Sequence, residues 1–202
     1  MWKLYGGSGL QPKHILYYLK KRAARNAALK IMPKNAVCAE IGVLTGDFSA
    51  QILRITKPDK LFLIDPWKYG GPDEKAVFSH SGLSQTDLDC WHSSVHHRFK
   101  AELEADKVEI MRVRSEDAAQ SFDDRFFDWI YIDGDHSYEG VLKDLKLYLP
   151  KIKQNGCMVL DDYNRKSKWQ SGVRQAADEF SAEHPYISRK YYFNQLILQI
   201  GT

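Results

Sequence analysis

From about residue 36 the sequence alternates short β-prone apolar runs with longer segments of helical period, a pattern that builds a parallel sheet covered by helices. The runs lie near Val37 to Ile41, Leu61 to Asp65, Val108 to Val113, Trp129 to Asp133 and Met158 to Asp161. Val141, Leu142, Leu145, Tyr148 and Leu149 recur on one helical face, which predicts a helix over Tyr138 to Leu149 that Pro150 stops. Further helices are expected from Thr86 to Leu103 and from Gly172 to Ala182, the second closed by His184-Pro185. Near the end, Ile187 to Phe193 and Leu196 to Ile200 flank Asn194-Gln195, a two-residue gap suited to a hairpin, so one strand should run antiparallel.

The 202 residues suffice for one domain, 36–202, with an N-terminal helical extension over 1–35. No run reaches the roughly 18 apolar residues of a membrane span, and the start MWKLYGGSGLQPKH lacks a signal peptide's apolar segment, so a cytoplasmic protein is expected. Cys38, Cys90 and Cys157 form no CxxC pair and read as reduced, mostly buried thiols. A net charge of +3 is too small for a nucleic-acid footprint. Lys20, Lys21, Arg22 and Arg25 follow Ile15, Leu16 and Leu19 at helical spacing, apolar residues on one side and cations on the other. The cations read as a solvated face, with a phosphate or acidic-partner contact as the alternative. The Gly-bearing polar stretch Lys68 to Ser84 reads as a long loop, a candidate lid.

Directly after the first run comes Glu40-Ile41-Gly42-Val43-Leu44-Thr45-Gly46-Asp47-Phe48-Ser49, a glycine-bearing turn leading into a helix. Glycine lets backbone approach a ligand, and the helix start beyond it offers free N–H groups. A dinucleotide loop would read GxGxxG around a pyrophosphate; this one reads ExGxxxG, and Glu40 would repel that group. A ligand carrying an ammonium and a sulfonium is compatible with Glu40, its own carboxylate lying near Ser49. Asp65 ends the second run, placed to accept from both hydroxyls of an adenosine ribose, and Trp67 is a candidate cover. After the third run Ser115, Glu116 and Asp117 stand where an adenine edge would be read. Each has a plainer alternative: turn glycines at Gly42 and Gly46, a strand-end cap at Asp65, a core side chain at Trp67, a helix cap at Ser115 with Glu116 in the first turn. Their order on consecutive strands favours a bound adenosine compound.

The fourth run ends in Asp133-Gly134-Asp135-His136 and the fifth in Asp161-Asp162-Tyr163. On neighbouring strands, Asp133, Asp161 and Asp162 would converge at the carboxyl edge of the sheet, where open α/β folds bind ligands. Like charges that close need protons or a divalent cation, and an all-oxygen set suits magnesium. Such an ion would orient an acceptor hydroxyl and lower its pKa. His136, with an unperturbed pKa of about 6.5, is a candidate general base in the same crevice, and Asp133 a candidate catalytic and cofactor-binding residue. The plainer alternatives are helix caps at Asp135 or Ser137, with His136 a solvated neighbour, and aspartates collected by turns. His92, His96 and His97 read as a wet helix face.

In these segments the chain resembles class I S-adenosylmethionine-dependent methyltransferases, over about residues 36 to 202. The carrying pieces are AEIGVLTGDFS, LFLIDPWKYGGPDE, RSEDAAQSF, DWIYIDGDHSYEGVLKDLKLYLPKIKQNG and MVLDDYN. It is most similar to the small metal-dependent O-methyltransferase group with macrocin O-methyltransferase relatives, methyltransferase family 24, and less so to catechol O-methyltransferase. The resemblance implies a Rossmann-like seven-stranded, mostly parallel sheet with the last strand antiparallel. It implies S-adenosylmethionine along the first three strand ends and Asp133, Asp161 and Asp162 at the metal positions, with magnesium as the ion. His136 stands where the catechol enzyme has a catalytic lysine, so deprotonation falls to His136, to the metal alone or to no group. Gln154-Asn155-Gly156 departs from the Pro-Gly-Gly-like turn of relatives.

The expected activity is methyl transfer to an oxygen of a small polar acceptor, a sugar or hydroxylated metabolite. A small molecule is the expected partner; membrane and nucleic acid are not, and a homodimer stays open. The alternatives are an S-adenosylmethionine-binding protein without transfer and a methyltransferase acting on RNA or protein. The missing GxGxxG argues against a nicotinamide oxidoreductase, and the lack of an Asn/Asp-Pro-Pro-Tyr after the fourth run favours oxygen over nitrogen.

Overall fold

A computed structural model of the chain describes residues 12–68, 83–164 and 171–201. Helix α1 (Pro12–Ile31) precedes strand β1 (Val37–Ile41), helix α2 (Asp47–Thr56) and strand β2 (Lys60–Ile64). Helices α3 (Gln85–Arg98) and α4 (Lys100–Glu104) lead to β3 (Val108–Met111), α5 (Ser115–Ala119) and β4 (Phe127–Ile132). Then come α6 (Tyr138–Tyr148), a 3-10 turn at Leu149–Lys151, β5 (Ile152–Leu160), α7 (Ser171–Glu183) and the hairpin β6 (Ile187–Tyr192) and β7 (Gln195–Ile200). The strands form one sheet of order β3-β2-β1-β4-β5-β7-β6, parallel except that β7 runs antiparallel to both its neighbours.

The inner strands read as continuous apolar runs because both faces are covered. On one face Ile41, Ile64, Ile130, Ile132, Met158 and Leu160 pack against α5, α6 and α7. On the other, Cys38, Leu61, Leu63, Trp129, Tyr131 and Val159 pack against α1, α2 and α3. Among the described residues no helix is long and apolar enough to cross a membrane. All three cysteines are free; Cys38 and Cys157 are buried, whereas Cys90 is exposed.

Several boundaries differ from the sequence expectation for local reasons. Strand β5 starts at Ile152 rather than Met158; Lys153, Gln154 and Asn155 hide its beginning because that part lies at the edge, where polar side chains meet water. The helix expected over Thr86 to Leu103 breaks at Phe99, whose ring turns inward to 3% exposure and packs on Gly46. The hairpin turn is Phe193-Asn194, since Tyr192 pairs with Gln195 and Phe193 takes a left-handed φ of 54°. Helix α1 is turned inside out relative to its pattern. Ile15, Leu16 and Leu19 are 47%, 53% and 59% exposed, while Lys21 and Arg25 point inward beside the buried Ala24, Ala28, Leu29 and Met32. The expected lid over Lys68 to Ser84 falls on residues 69–82, outside the described residues.

Candidate active site

The strand ladder continues past the strand ends and sets the carboxylates in a row. Gly42 donates to the Ile64 carbonyl at 2.9 Å, Asp133 to Ile41 at 2.8 Å and Asp161 to Ile132 at 3.1 Å. Gly42, at φ +89°, lies flat against the end of β4: a Cβ there would stand 2.3 Å from the Asp133 carbonyl oxygen. The close approach that glycine permits is therefore made, in part, to the neighbouring strand. Gly46, at φ +73°, closes the turn against Phe99 and caps α2.

At the ends of β1 and β2, Glu40 is 1% exposed and accepts from the hydroxyl of Ser49, also buried. Burial pushes the Glu40 carboxyl up to about 8, the Ser49 bond opposing and the charge of Asp133 adding to the rise. Asp65 takes the backbone N–H of Val43 and Leu44 on Oδ2 at 2.9 and 3.0 Å, and that of Trp67 on Oδ1 at 2.8 Å. Its carboxylate thus ties the glycine turn to β2, while burial still raises its pKa against those three donors. Trp67 is a core side chain, 1% exposed, with its indole N–H on the Leu44 carbonyl at 2.8 Å and its ring 4.8 Å from that of His92. It holds a φ of +40°, a strained setting for a bulky residue that these hydrogen bonds maintain. Ser115 opens α5, with Arg114 rather than Ser115 as the N-cap. The Ser115 hydroxyl donates to Asp144 and Glu116 pairs with Lys143 at 3.0 Å, so both side chains face α6.

At the ends of β4 and β5, Asp133, Asp161 and Asp162 do meet, and α1 meets them. Arg25 bonds both Asp133 Oδ2 and Asp161 Oδ2. Lys21 Nζ lies 2.6 Å from Asp161 Oδ2 and 3.0 Å from Asp162 Oδ1. From the hairpin, Asn194 donates to Asp161 Oδ1 at 3.2 Å and to Asp162 Oδ1 at 2.8 Å, and Gln195 donates to Asp161 Oδ1. The Arg25 guanidinium sits 4.6 Å from the ring centre of Phe48, which packs on Tyr131. Burial works to raise the Asp161 carboxyl, but Arg25 and Lys21 outweigh it and hold it well below the usual carboxylate range. His136 Nε2 is 3.2 Å from Asp133 Oδ1. Burial disfavours the imidazolium, yet the bond to Asp133 and the nearby carboxylates win, raising the His136 pKa. Asp135 and Ser137 cap α6: Asp135 accepts from the Ser137 N–H at 2.8 Å, and the Ser137 hydroxyl accepts from Gly140 at 3.1 Å.

One oxygen each of Asp133 and Asp162 and a ring nitrogen of His136 lie within 4.8 Å of one another, a spacing that would admit an ion. The set around Asp161 does not fit one while α1 is in place, because both Asp161 oxygens already take hydrogen bonds and Lys21 and Arg25 supply the counter-charge. Lys21, Arg25, Asn194 and Gln195 are the residues that sequence reasoning missed. The signal available for the first two was their i, i+4 spacing in line with the buried Ala28, Leu29 and Met32. Histidines 92 and 96 stand apart on α3 with their Nε2 atoms 3.2 Å from each other.

A sheet of this order, with a glycine turn after its first strand and acids at the ends of the next, fits a methyltransferase domain. Residues 39–163 match the family model described as a methyltransferase domain, and the chain belongs to that family. Among curated proteins it is similar to uncharacterized protein R132 of Acanthamoeba polyphaga mimivirus, 36% identical over 56 residues. That match covers 28% of this chain and only 25% of the length of that relative. Among solved structures it resembles cofactor-bound Rv0187 from MTB (13% identity, 96% of this chain and 92% of that one, TM-score 0.62). It also resembles the O-methyltransferase NovP (17%, 94% and 81%, TM-score 0.62) and SAH-bound Podospora anserina methyltransferase PaMTH1 (16%, 100% and 92%, TM-score 0.57). At such identities the likeness concerns the fold.

Proposed function

We propose that the protein methylates a hydroxyl oxygen of a small polar acceptor, a sugar or hydroxylated metabolite, in the cytoplasm. The observation that carries this reading is the Asp133–His136 pair at the end of β4, 3.2 Å apart and backed directly onto the glycine turn through Gly42. S-adenosylmethionine, when bound, supplies an electrophilic sulfonium methyl with a neutral thioether as leaving group. Glu40 suits that ligand: it is a buried carboxyl with no ion pair among the described residues, kept protonated up to about pH 8 by burial, and a nearby ammonium or sulfonium would favour its ionised form. Asp65 would hold the ribose, its position secured by the N–H groups of the turn. Asp133 bonds Nε2 of His136 and so leaves Nδ1 to accept the acceptor hydroxyl's proton. A raised pKa makes this imidazole a stronger base that is free of its proton only at higher pH.

Magnesium assistance, the alternative for this step, would require Lys21 and Arg25 to withdraw from the carboxylates. The reading proposed here keeps them in place. Calorimetry with S-adenosylhomocysteine tests the cofactor: a Kd on the order of 1–100 μM is expected, and no heat at high micromolar ligand removes the methyltransferase reading. A panel of hydroxylated acceptors with methyl-labelled cofactor tests the oxygen; label arriving on RNA or protein instead replaces the small acceptor with a polymer.

A further inference from the structure

We infer that Lys21 and Arg25 take the place of a divalent cation in the acidic crevice, so that methyl transfer by this protein needs no metal. Only the last clause rests on the methyltransferase reading. Two single cations carry the charge of one divalent ion, and they are spread over the same three carboxylates. Arg25 bridges Asp133 and Asp161; Lys21 bridges Asp161 and Asp162. Magnesium demands bare oxygens in near-octahedral array at about 2.0–2.1 Å. Here the Asp161 oxygens that would face such an ion receive N–H donors from Arg25, Lys21, Asn194 and Gln195 instead.

The cations are also held in place. Lys21 and Arg25 are four residues apart, so they share one face of α1. That face continues into Ala28, Leu29 and Met32, at 0%, 1% and 5% exposure. The Arg25 guanidinium rests over Phe48 and lies 5.8 Å from the ring centre of Tyr131. To admit a metal, α1 would have to leave the core surface it covers or these two side chains would have to find water past 16–17% exposure. Yet the underlying donor set keeps the dimensions of an ion site, with atoms of Asp133, His136 and Asp162 within 4.8 Å. Removing the two cations should therefore turn the crevice into a metal site.

Manganese(II), followed by the electron paramagnetic resonance of the free ion, tests this on the full chain. The wild type is expected to leave the free-ion signal unchanged. The double variant Lys21→Met, Arg25→Met should remove one equivalent of Mn²⁺, binding at least about tenfold more tightly than the wild type, and Asp162→Asn in that background should abolish the gain. Circular dichroism establishes that the variants are folded. Should the double variant not fold, Lys21→Gln alone, at the rim, should still tighten Mn²⁺ by about threefold. A wild type that binds one equivalent of Mn²⁺, lost in Asp162→Asn, overturns the inference, as does a folded variant that gains no binding. S-adenosylhomocysteine titrated into the same samples separates the two readings: a wild type that binds neither ligand removes the methyltransferase reading and leaves the counter-ion inference standing.

Discussion

Glu40 and Asp65, on the β1–β2 side of the site, are held by neutral donors from their own neighbourhood: the Ser49 hydroxyl and the N–H groups of Val43, Leu44 and Trp67. Asp133, Asp161 and Asp162, on the β4–β5 side, are held by two cations from α1 and two amides from the hairpin. The consequence shows in the protonation of Glu40 and Asp161, whereas Asp133, even beside Arg25, is still raised by burial and by the charge of Asp161. Glu40, lacking a cation, is pushed up to about 8 by burial, whereas Asp161 is held far below the ordinary range by Arg25 and Lys21 in spite of its burial. On the first side Glu40 is left without an ion pair among the described residues, which is what the proposed cationic ligand would supply. On the second side Lys21 and Arg25 already supply the counter-charge of Asp161.

Substitutions that separate the two sides would break this contrast or sharpen it. The largest effect is expected from Arg25→Met, which leaves Asp133 and Asp161 buried without their shared partner; a loss of about 3–5 kcal/mol in urea unfolding is expected. A loss below about 1 kcal/mol would erase the distinction, since a surface pair is worth that much.

Glu40→Gln should act in the opposite direction. The unfolded chain releases this proton near 4.5 and the folded chain near 8. Between those values the folded state holds the extra proton, so stability falls as pH rises. The variant escapes that fall: no difference at or below pH 4.5, and a gain on the order of 2–4 kcal/mol by about pH 8. Unfolding midpoints across the pH range would show it, and a pH-independent difference would refute it. Asp65→Asn gives the smallest change. The amide oxygen can keep the Val43 and Leu44 donors and loses Trp67, a cost of about 1 kcal/mol that lowers the melting temperature by a few degrees.

What could be read in advance follows the same division. Strand β1 is legible from Val37 to Ile41 because both its faces are buried and Val37, Cys38, Ala39 and Ile41 form an apolar run interrupted only by Glu40. Acids at strand ends are likewise local: Glu40, Asp65, Asp133 and Asp161 stand where their strands stop, so pattern and position coincide. The partners of the acidic crevice are not local. Arg25 and Asp133 are 108 residues apart in the chain, Lys21 and Asp162 are 141. In α1 the aliphatic residues Ile15, Leu16 and Leu19 suggested the inner face, yet the helix enters the core only from Ala24 onward. There small residues allow close packing, and the cations ahead of them reach carboxylates that no helical period reveals. Trp67 and the pair Ser115 and Glu116 were legible as positions but not as contacts, since their hydrogen bonds run to Leu44, Asp144 and Lys143.

The missing side chain of Gly42 has a mechanical meaning. The turn that follows β1 and the carbonyl that ends β4 share a partition only one hydrogen atom thick. A strand tip displaced on one side has no slack to absorb it and must press upon the other. The glycine turn and the end of β4 therefore meet backbone to backbone, with no side chain between them.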